Sequence, residues 1–268
     1  MGNFKKFFLI GIVTLALCEL AYGQQAFRAV SEQLVVKPTS FIGESIQISP
    51  DTKRVAYVGL SGNSRFVVVD GKAEKPFEGI SAPIFSPDSK HLAYAAKAEN
   101  KWFVVVDGKK EKPYDNITYL QYSADSKHLA YIAVSADKQF VVFDGSEEKP
   151  LDNIAYLLFS PDSKHLAYAA KLGYKWAMVV DGKAEKPYEG VESPVFSPDS
   201  KRLAYVGFFG NNRFVIVDGK AEKSYDGIGA PVFSPDSKRL AYSALANKKL
   251  VSVVNGKEEG PYDGIGAP

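Results

Sequence analysis

Three histidines are the first residues to consider for catalysis or metal binding, because imidazole titrates near neutral pH and is a common metal ligand. His91, His128 and His165 are the only histidines, and they occupy the same position of a motif that recurs every 37 residues. A position that accepts histidine or arginine is typical of a solvated strand end, and no zinc-type spacing of His and Cys occurs. We therefore predict no metal site. Other copies of the motif hold Arg54, Arg202 and Arg239 at this position.

Aspartates recur in the same motif and suggest calcium. Calcium prefers six to eight oxygen ligands, however, and each copy supplies a single carboxylate, so a role in stabilising turns is the better explanation. The sequence has no nucleophile-elbow, phosphate-loop or dinucleotide-binding motif. We therefore predict no catalytic residue and no cofactor. The aspartates concerned are Asp88, Asp162, Asp199 and Asp236.

All of these residues belong to an internal repeat that covers residues 45–265 in six copies without an insertion. Such regular self-similarity is typical of repeat architectures. The turn Ser-Pro-Asp begins at Ser49, Ser86, Ser160, Ser197 and Ser234, with Ser-Ala-Asp at Ser123. An Asp-Gly or Asn-Gly pair begins at Asp70, Asp107, Asp144, Asp181, Asp218 and Asn255.

The sequence of each copy predicts four antiparallel strands. The Ser-Pro-Asp segment is a turn, and Asp-Gly predicts a type I′ hairpin because both central residues of that turn need positive φ. The third strand is apolar on both faces, whereas the fourth is charged and carries proline, which suits a sheet edge. In the second copy the predicted strands are residues 83–85, 91–96, 102–106 and 110–114, with a polar loop at 97–101.

One such sheet has two apolar faces, and only neighbouring copies can cover both. Radial packing of the copies predicts a β-propeller. The segments FSPDSKHLAY, FSPDSKRLAY and VVVDGK resemble the repeat of TolB-type propellers, in which the turn is usually Ser-Pro-Asp-Gly-Lys. The resemblance implies an all-β, six-bladed β-propeller; a truncated larger ring is the alternative. Serine or threonine replaces the glycine at Thr52, Ser89, Ser126, Ser163, Ser200 and Ser237.

The beginning of the chain predicts export. Residues 1–6 are basic, residues 7–17 are apolar, and small residues at 21 and 23 suit a signal peptidase, so we predict a signal peptide at 1–23. Lipoprotein processing at Cys18, the only cysteine, is the alternative. We predict an N-terminal segment at 24–44, in which residues 34–38 are the candidate for a closing strand, and the propeller at 45–268. The expected location is periplasmic or secreted.

Candidate binding residues follow from the expected strand order. The Ser-Pro-Asp and Asp-Gly turns are expected at one end of the strands and form one face. The loops between second and third strands and the connections between copies are expected at the other end and form the second face. Recognition of an asymmetric ligand needs residues that differ between copies, and these concentrate on the second face. They include the residue types that anchor protein interfaces. The candidates are Arg65, Trp102, Tyr119, Tyr156, Tyr174, Trp176, Phe208, Phe209 and Arg213.

The leading hypothesis is a monomeric, non-catalytic scaffold that binds a protein, a peptide or a cell-envelope glycan. A propeller hydrolase or lyase and a carbohydrate-binding propeller are the alternatives. Nucleic acid is not an expected partner, because the formal net charge is only +2 and the charges alternate in sign along the chain. No segment after residue 23 is apolar enough to span a membrane. For Trp102 and Trp176, packing between sheets is the favoured interpretation over a binding role. For Phe208 and Phe209, packing and binding are equally favoured.

Overall fold

The computed structural model describes residues 40–262, which form six antiparallel β-sheets and one short 3-10 helix, Gly43–Ser45. The all-β class predicted from the sequence is confirmed. No helix in this part of the chain has the length and apolar character needed to cross a bilayer. The predictions for the signal peptide at 1–23, for Cys18, for a strand at 34–38 and for residues 263–268 lie outside the described residues.

The first three sheets follow one another along the chain. Sheet 1 comprises β1 (Gln47–Ile48), β2 (Val55–Ser61), β3 (Ser64–Val69) and β4 (Lys72–Ala73). Sheet 2 comprises β5 (Gly79–Ile80), β6 (Ile84–Phe85), β7 (Leu92–Ala98), β8 (Lys101–Val106) and β9 (Lys109–Lys110). Sheet 3 comprises β10 (Asn116–Tyr122), β11 (Leu129–Ser135), β12 (Lys138–Phe143) and β13 (Ser146–Glu147).

The remaining sheets repeat this order. Sheet 4 comprises β14 (Ile154–Phe159), β15 (Leu166–Leu172), β16 (Lys175–Val180) and β17 (Lys183–Ala184). Sheet 5 comprises β18 (Gly190–Phe196), β19 (Leu203–Phe209), β20 (Asn212–Val217) and β21 (Lys220–Tyr225). Sheet 6 comprises β22 (Gly227–Ile228), β23 (Val232–Phe233), β24 (Leu240–Ala246), β25 (Lys249–Val254) and β26 (Lys257–Tyr262).

The hairpin turns show which local predictions hold. Asp107 and Gly108 have φ of 48° and 78°, so the predicted type I′ geometry is confirmed. The predicted polar loop at 97–101 is wrong, because β7 extends to Ala98 and β8 begins at Lys101. Only Glu99 and Asn100 connect these strands, with φ of 52° and 60°. A two-residue turn with positive φ at both positions matches the strand twist, so the longer loop is unnecessary.

Apolar side chains fill the space between successive sheets. Between sheets 2 and 3, for example, Ala95 and Val104 on one side meet Tyr131 and Ala133 on the other, and all four are buried. Alanine on the second strand leaves room for the tyrosine ring of the next sheet. Each large side chain buried in this way contributes roughly 1.5–3 kcal/mol. Equivalent clusters join all five successive pairs of sheets within residues 40–262.

Two hydrogen bonds recur at the sheet interfaces. The hydroxyl of a buried tyrosine donates to a glutamate that follows the Asp-Gly turn of the preceding sheet, as Tyr131 does to Glu111 at 2.7 Å. The serine after each Ser-Pro-Asp turn accepts from a backbone N–H of the preceding sheet, as Ser163 Oγ does from Asp125 at 2.9 Å. Each sheet is therefore joined to the next by polar contacts as well as by apolar packing.

Candidate functional site

The sheets present two chemically different faces at the ends of their strands. One, the turn face, carries the Ser-Pro-Asp and Asp-Gly turns, which touch each other: the N–H of Leu92 donates to Asp107 Oδ1 at 2.9 Å. The other, the loop face, carries the turns between second and third strands and the connections between sheets. There Glu189 Oε2 accepts from the N–H of Gly210 at 2.8 Å. The division of the loops expected from strand order therefore holds at these positions.

Exposed apolar side chains lie in the turns between second and third strands of sheets 4 and 5, on the loop face. Tyr174 is 100% exposed and Phe209 is 54% exposed, and Leu172 is exposed beside them. Lys175 Nζ lies 5.4 Å from the centroid of the Phe209 ring, which links the two turns by a cation–π contact. We call Leu172, Tyr174, Lys175 and Phe209 the loop patch. Aromatic and aliphatic groups at this exposure lose solvent when a partner covers them.

A glycine shapes this part of the surface. Gly173 begins the two-residue turn between Leu172 and Lys175, and its φ is 65°. Tyr174, the second turn residue, is not in the positive-φ region, as in a type II′ turn with glycine first. A side chain at the second position of such a tight turn points away from the sheet, which explains why the tyrosine is fully exposed.

The adjacent phenylalanines have different environments. Phe208 is half-buried and covers Gly190, where an added Cβ would lie 2.0 Å from Phe208 Cζ. The guanidinium of Arg213 lies 5.2 Å from the Phe208 ring centroid, and its Nη1 lies 3.3 Å from Glu192 Oε2. Phe208 and Arg213 therefore belong to the packing of sheet 5, whereas Phe209 remains available at the surface.

The two tryptophans and Arg65 occupy one repeat position, the second residue of the third strand. Trp102 and Trp176 are half-buried and pack against the clusters between sheets 2 and 3 and between sheets 4 and 5. Trp102 Cη2 would lie 3.3 Å from a Cβ added at Gly79. Arg65 is exposed. The structure thus places both tryptophans among packing residues and leaves Arg65 apart from the loop patch.

Tyr119 and Tyr156 lie elsewhere, on the first strands of sheets 3 and 4. Each sits where the register with the second strand shifts, and their φ values are 55° and 56°. Positive φ is rare for a bulky residue and marks a constrained backbone. The rings are 52% and 38% exposed. Gln121 Nε2 donates to the carbonyl of Leu157 at 2.7 Å, which joins these two strands directly.

The turn face contains side-chain contacts to the Asp-Gly aspartates that the sequence did not predict. His91, His128 and His165 each place Nδ1 2.7 Å from the aspartate of the following Asp-Gly turn. Arg54 contacts Asp70 in the same way at 3.1 Å. The histidines are therefore paired side chains at partly exposed strand ends. Within residues 40–262 no group of three or more His, Cys, Asp or Glu side chains has the arrangement of a metal site.

The turn aspartates are held in the ionised form. The hydroxyl of Ser86 donates to Asp88 Oδ1 at 2.6 Å, and the N–H of Lys90 donates to the same oxygen at 3.1 Å. The Ser86 hydroxyl, followed by the Lys90 N–H, lowers the pKa of Asp88 to about 2. The role in turn stabilisation expected for these carboxylates agrees with this geometry. The same Ser–Asp bond recurs at Asp125 and Asp162.

Comparisons with known proteins found structural likenesses only. No protein-family model and no curated protein sequence matches the chain. The solved structures that resemble it include TolB from Acinetobacter baumannii, at 17% identity and a TM-score of 0.40, over 76% of this chain and 62% of that chain. The β-propeller domain of the Trilobed protease from Pyrococcus furiosus matches at 14% identity and a TM-score of 0.42, over 79% and 81%.

The Dos1 propeller matches at 13% identity and a TM-score of 0.43, over 81% of this chain and 71% of that chain. The chain spans less than two thirds of the TolB structure. Similarity at this level assigns neither an activity nor a partner.

Proposed function

We propose that this chain is an exported, non-catalytic propeller scaffold that binds a protein partner through the loop patch. The observation that carries the proposal is the exposure of Tyr174 and Phe209 on neighbouring sheets, where Lys175, the residue after Tyr174, contacts the Phe209 ring. Large aromatic side chains supply much of the energy of protein interfaces. The turns of the other face repeat nearly the same residues, so they offer fewer features that distinguish one part of an asymmetric partner from another.

The loop patch can be tested with two double variants of the exported protein. Tyr174→Ser/Phe209→Ser removes two exposed rings from the loop patch, and Tyr119→Ser/Tyr156→Ser removes two exposed rings from the first strands. We expect the wild type and the second variant to retain the same partner from a cell-envelope extract. The partner is then identified by mass spectrometry and its affinity is measured by calorimetry with the purified proteins.

Loss of two anchor residues, at about 1.4 kcal/mol each, weakens binding by roughly a hundredfold. An equal loss for both variants, or a loss only for Tyr119→Ser/Tyr156→Ser, refutes the loop patch as the binding surface. A partner that is a polysaccharide favours the carbohydrate-binding alternative instead. Turnover of a hydrolase or lyase substrate by the metal-free protein refutes the non-catalytic part of the proposal.

We further propose that six 37-residue blades close into one ring. Ala241, Ser243 and Ser252 of sheet 6 are half-buried, whereas Ala93 and Val104, at two of the same repeat positions in sheet 2, are buried by sheet 3. In a closed six-bladed ring the first sheet covers this surface. Closure in this way removes an exposed sheet face, which is the usual solution in propellers.

Ring closure can be measured with spin labels in a Cys18→Ser background. Lys72, Lys109 and Lys257 are exposed and begin the fourth strands of sheets 1, 2 and 6. Labels at positions 72 and 109 report the distance between adjacent sheets. In a closed ring of six, labels at positions 72 and 257 give the same distance by electron–electron double resonance. A clearly longer distance refutes closure between these two sheets.

Export is the remaining part of the proposal and rests on the composition of residues 1–23. We expect the mature protein to begin at Gln24. N-terminal sequencing of protein recovered from outside the cytoplasm tests this directly. A lipid-modified Cys18 at the mature N-terminus would establish the lipoprotein alternative.

A further inference from the structure

The interface between sheets 1 and 2 shows how this protein holds a guanidinium group. Arg54 extends across the turn face, and its Nη1 donates to the carbonyl oxygens of Ser89 at 3.1 Å and Lys90 at 3.0 Å. Its Nε donates to Asp70 Oδ2 at 3.1 Å. The guanidinium carbon lies 5.1 Å from the centroid of the Phe85 ring. A carboxylate, two carbonyls and an aromatic face thus surround the cation.

The interface between sheets 5 and 6 repeats part of this arrangement. Arg202 Nε donates to Asp218 Oδ2 at 3.3 Å, and its guanidinium carbon lies 5.2 Å from the Phe233 ring centroid. These residues occupy the same repeat positions as Arg54, Asp70 and Phe85. The aromatic and acidic parts of the guanidinium site are therefore a property of the repeat and not of one sheet.

At the interface between sheets 3 and 4 the arginine position holds His128. Its Nδ1 lies 2.7 Å from Asp144 Oδ2, and its ring stacks on Phe143 with centroids 5.0 Å apart. The imidazole is shorter than an arginine side chain and stays over its own sheet. A cavity of about 720 Å³ opens beside it, and its lining includes Phe159, Ser163 and Lys164. These three residues are the repeat equivalents of Phe85, Ser89 and Lys90.

We propose that this cavity binds the guanidinium group of an arginine side chain presented by a partner protein. The partner's arginine would take the position that Arg54 takes between sheets 1 and 2, with the carbonyls of Ser163 and Lys164 as acceptors and Phe159 as the aromatic face. A planar guanidinium fits paired acceptors and a ring better than an ammonium group does.

The charge and shape of the cavity suit such a ligand. Four carboxylates line it beside only two lysines; the carboxylates are Asp125, Glu148, Asp162 and Asp181. Glu148 also accepts the hydroxyl of Tyr168 at 2.5 Å, which holds it in place. Phe143 adds a second ring to the lining, at a repeat position that is valine in the other five copies. The site lies on the turn face and does not depend on the loop patch.

Nuclear magnetic resonance titration with Nα-acetyl-arginine amide tests the proposal on the full chain. We expect shifts of the backbone amides of Phe159, Ser163 and Lys164. Nα-acetyl-citrulline amide has nearly the same shape without the charge, and we expect it to bind at least tenfold more weakly. Equal shifts with both compounds would overturn the proposal, as would the absence of shifts near the cavity with the arginine compound.

Three variants use residues that the repeat itself supplies at the same positions, so each should fold. His128→Arg fills the cavity from within, and we expect it to abolish the shifts at Ser163. Arg54→His opens the equivalent position between sheets 1 and 2, and we expect new shifts at Ser89. Phe143→Val removes the second ring, and we expect several-fold weaker binding. Undiminished binding by His128→Arg would overturn the assignment. Failure of the loop-patch experiment would leave this result unaffected.

Discussion

Ser163 provides the sharpest test of how the sheets are joined. Its φ is 66°, a value that glycine adopts readily and serine does not, and the corresponding turn of TolB-type repeats usually has glycine. Its Oγ accepts a hydrogen bond from the N–H of Asp125 on the preceding sheet at 2.9 Å. We interpret the serine as a strained residue that is retained because it supplies an acceptor across the interface.

Two substitutions separate the two effects. Ser163→Ala keeps the left-handed strain of roughly 1 kcal/mol but loses a hydrogen bond that contributes about 1 kcal/mol. Ser163→Gly also loses the hydrogen bond but relieves the strain, although glycine adds about 0.4–1 kcal/mol of unfolded-chain entropy. We therefore expect Ser163→Ala to lower the free energy of unfolding by about 1 kcal/mol. Ser163→Gly should fall between the wild type and the alanine variant.

The assay combines a global and a local measurement. A change of 1 kcal/mol shifts the melting temperature by roughly 2–4 °C in a chain of this size. Repeat proteins do not always unfold in one step, so amide hydrogen exchange at Asp125 is the more direct measurement. Both substitutions should accelerate exchange there and leave the amide of Asp51, which donates to Ser89 at another interface, unchanged.

The reasoning is refuted if Ser163→Ala is as stable as the wild type and the Asp125 amide keeps its protection. A glycine variant less stable than the alanine variant would refute the strain argument alone.

Three further predictions concern residues whose surroundings are equally well defined. The Ser86 hydroxyl lowers the pKa of Asp88 to about 2, so ionised Asp88 stabilises the fold above its unfolded pKa near 4. This contribution disappears as the pH falls toward 2. Asp88→Asn should therefore reduce the loss of melting temperature between pH 5 and pH 2. Tyr131→Phe should cost about 1.5–3 kcal/mol in urea unfolding, because it removes a hydrogen bond to ionised Glu111. Gly190→Ala should cost about 1–3 kcal/mol, because its methyl group overlaps the ring of Phe208.

Each of these has a matched control in the same chain. Lys90→Met removes the ion pair between Lys90 Nζ and Asp88 Oδ2, which are 3.3 Å apart, and leaves the Ser86 bond to Asp88 intact. This variant should keep most of the pH dependence; complete loss would assign that dependence to the ion pair. Tyr57 occupies the Tyr131 position in sheet 1, and no glutamate of a preceding sheet bonds its hydroxyl among the described residues. Tyr57→Phe should cost clearly less than Tyr131→Phe. A Cβ added at Gly43 meets no atom within 4 Å, so Gly43→Ala should be neutral. If Gly190→Ala costs no more than Gly43→Ala, the overlap of its methyl group with Phe208 is contradicted.

The order of strands was predictable because it depends on local chemistry repeated six times. The Asp-Gly pair needs positive φ at both residues wherever it occurs, and it produces the same hairpin in each copy. Alternation of neighbouring side chains on a strand also separates Phe208 from Phe209, since consecutive residues point to opposite faces. That argument could be made from the sequence only if the second strand was known to include both phenylalanines. The loop predicted between second and third strands was too long, so it hid the true end of that strand.

Contacts between copies were less accessible from the sequence. The motif shows that serine replaces glycine at Ser163, but not that its hydroxyl meets a backbone N–H on the preceding sheet. The cavity beside His128 likewise depends on Phe159 and Ser163 of the following sheet. The candidate aromatic residues shared a sequence pattern, yet packing distributed them between the loop patch, the first strands and the sheet interfaces. Three-dimensional neighbours thus decide which of the candidates are available to a partner.

The serine and tyrosine bonds between sheets also have a direction. In each pair, the later sheet provides the serine, which accepts from an N–H of the sheet before it, and the tyrosine, which donates to a glutamate of that sheet. Every internal junction is consequently made from the same two half-surfaces. Duplication or deletion of one whole unit would form a new junction that keeps the same serine and tyrosine bonds. Lineages carrying this gene could therefore change the number of units by recombination without first evolving a new contact.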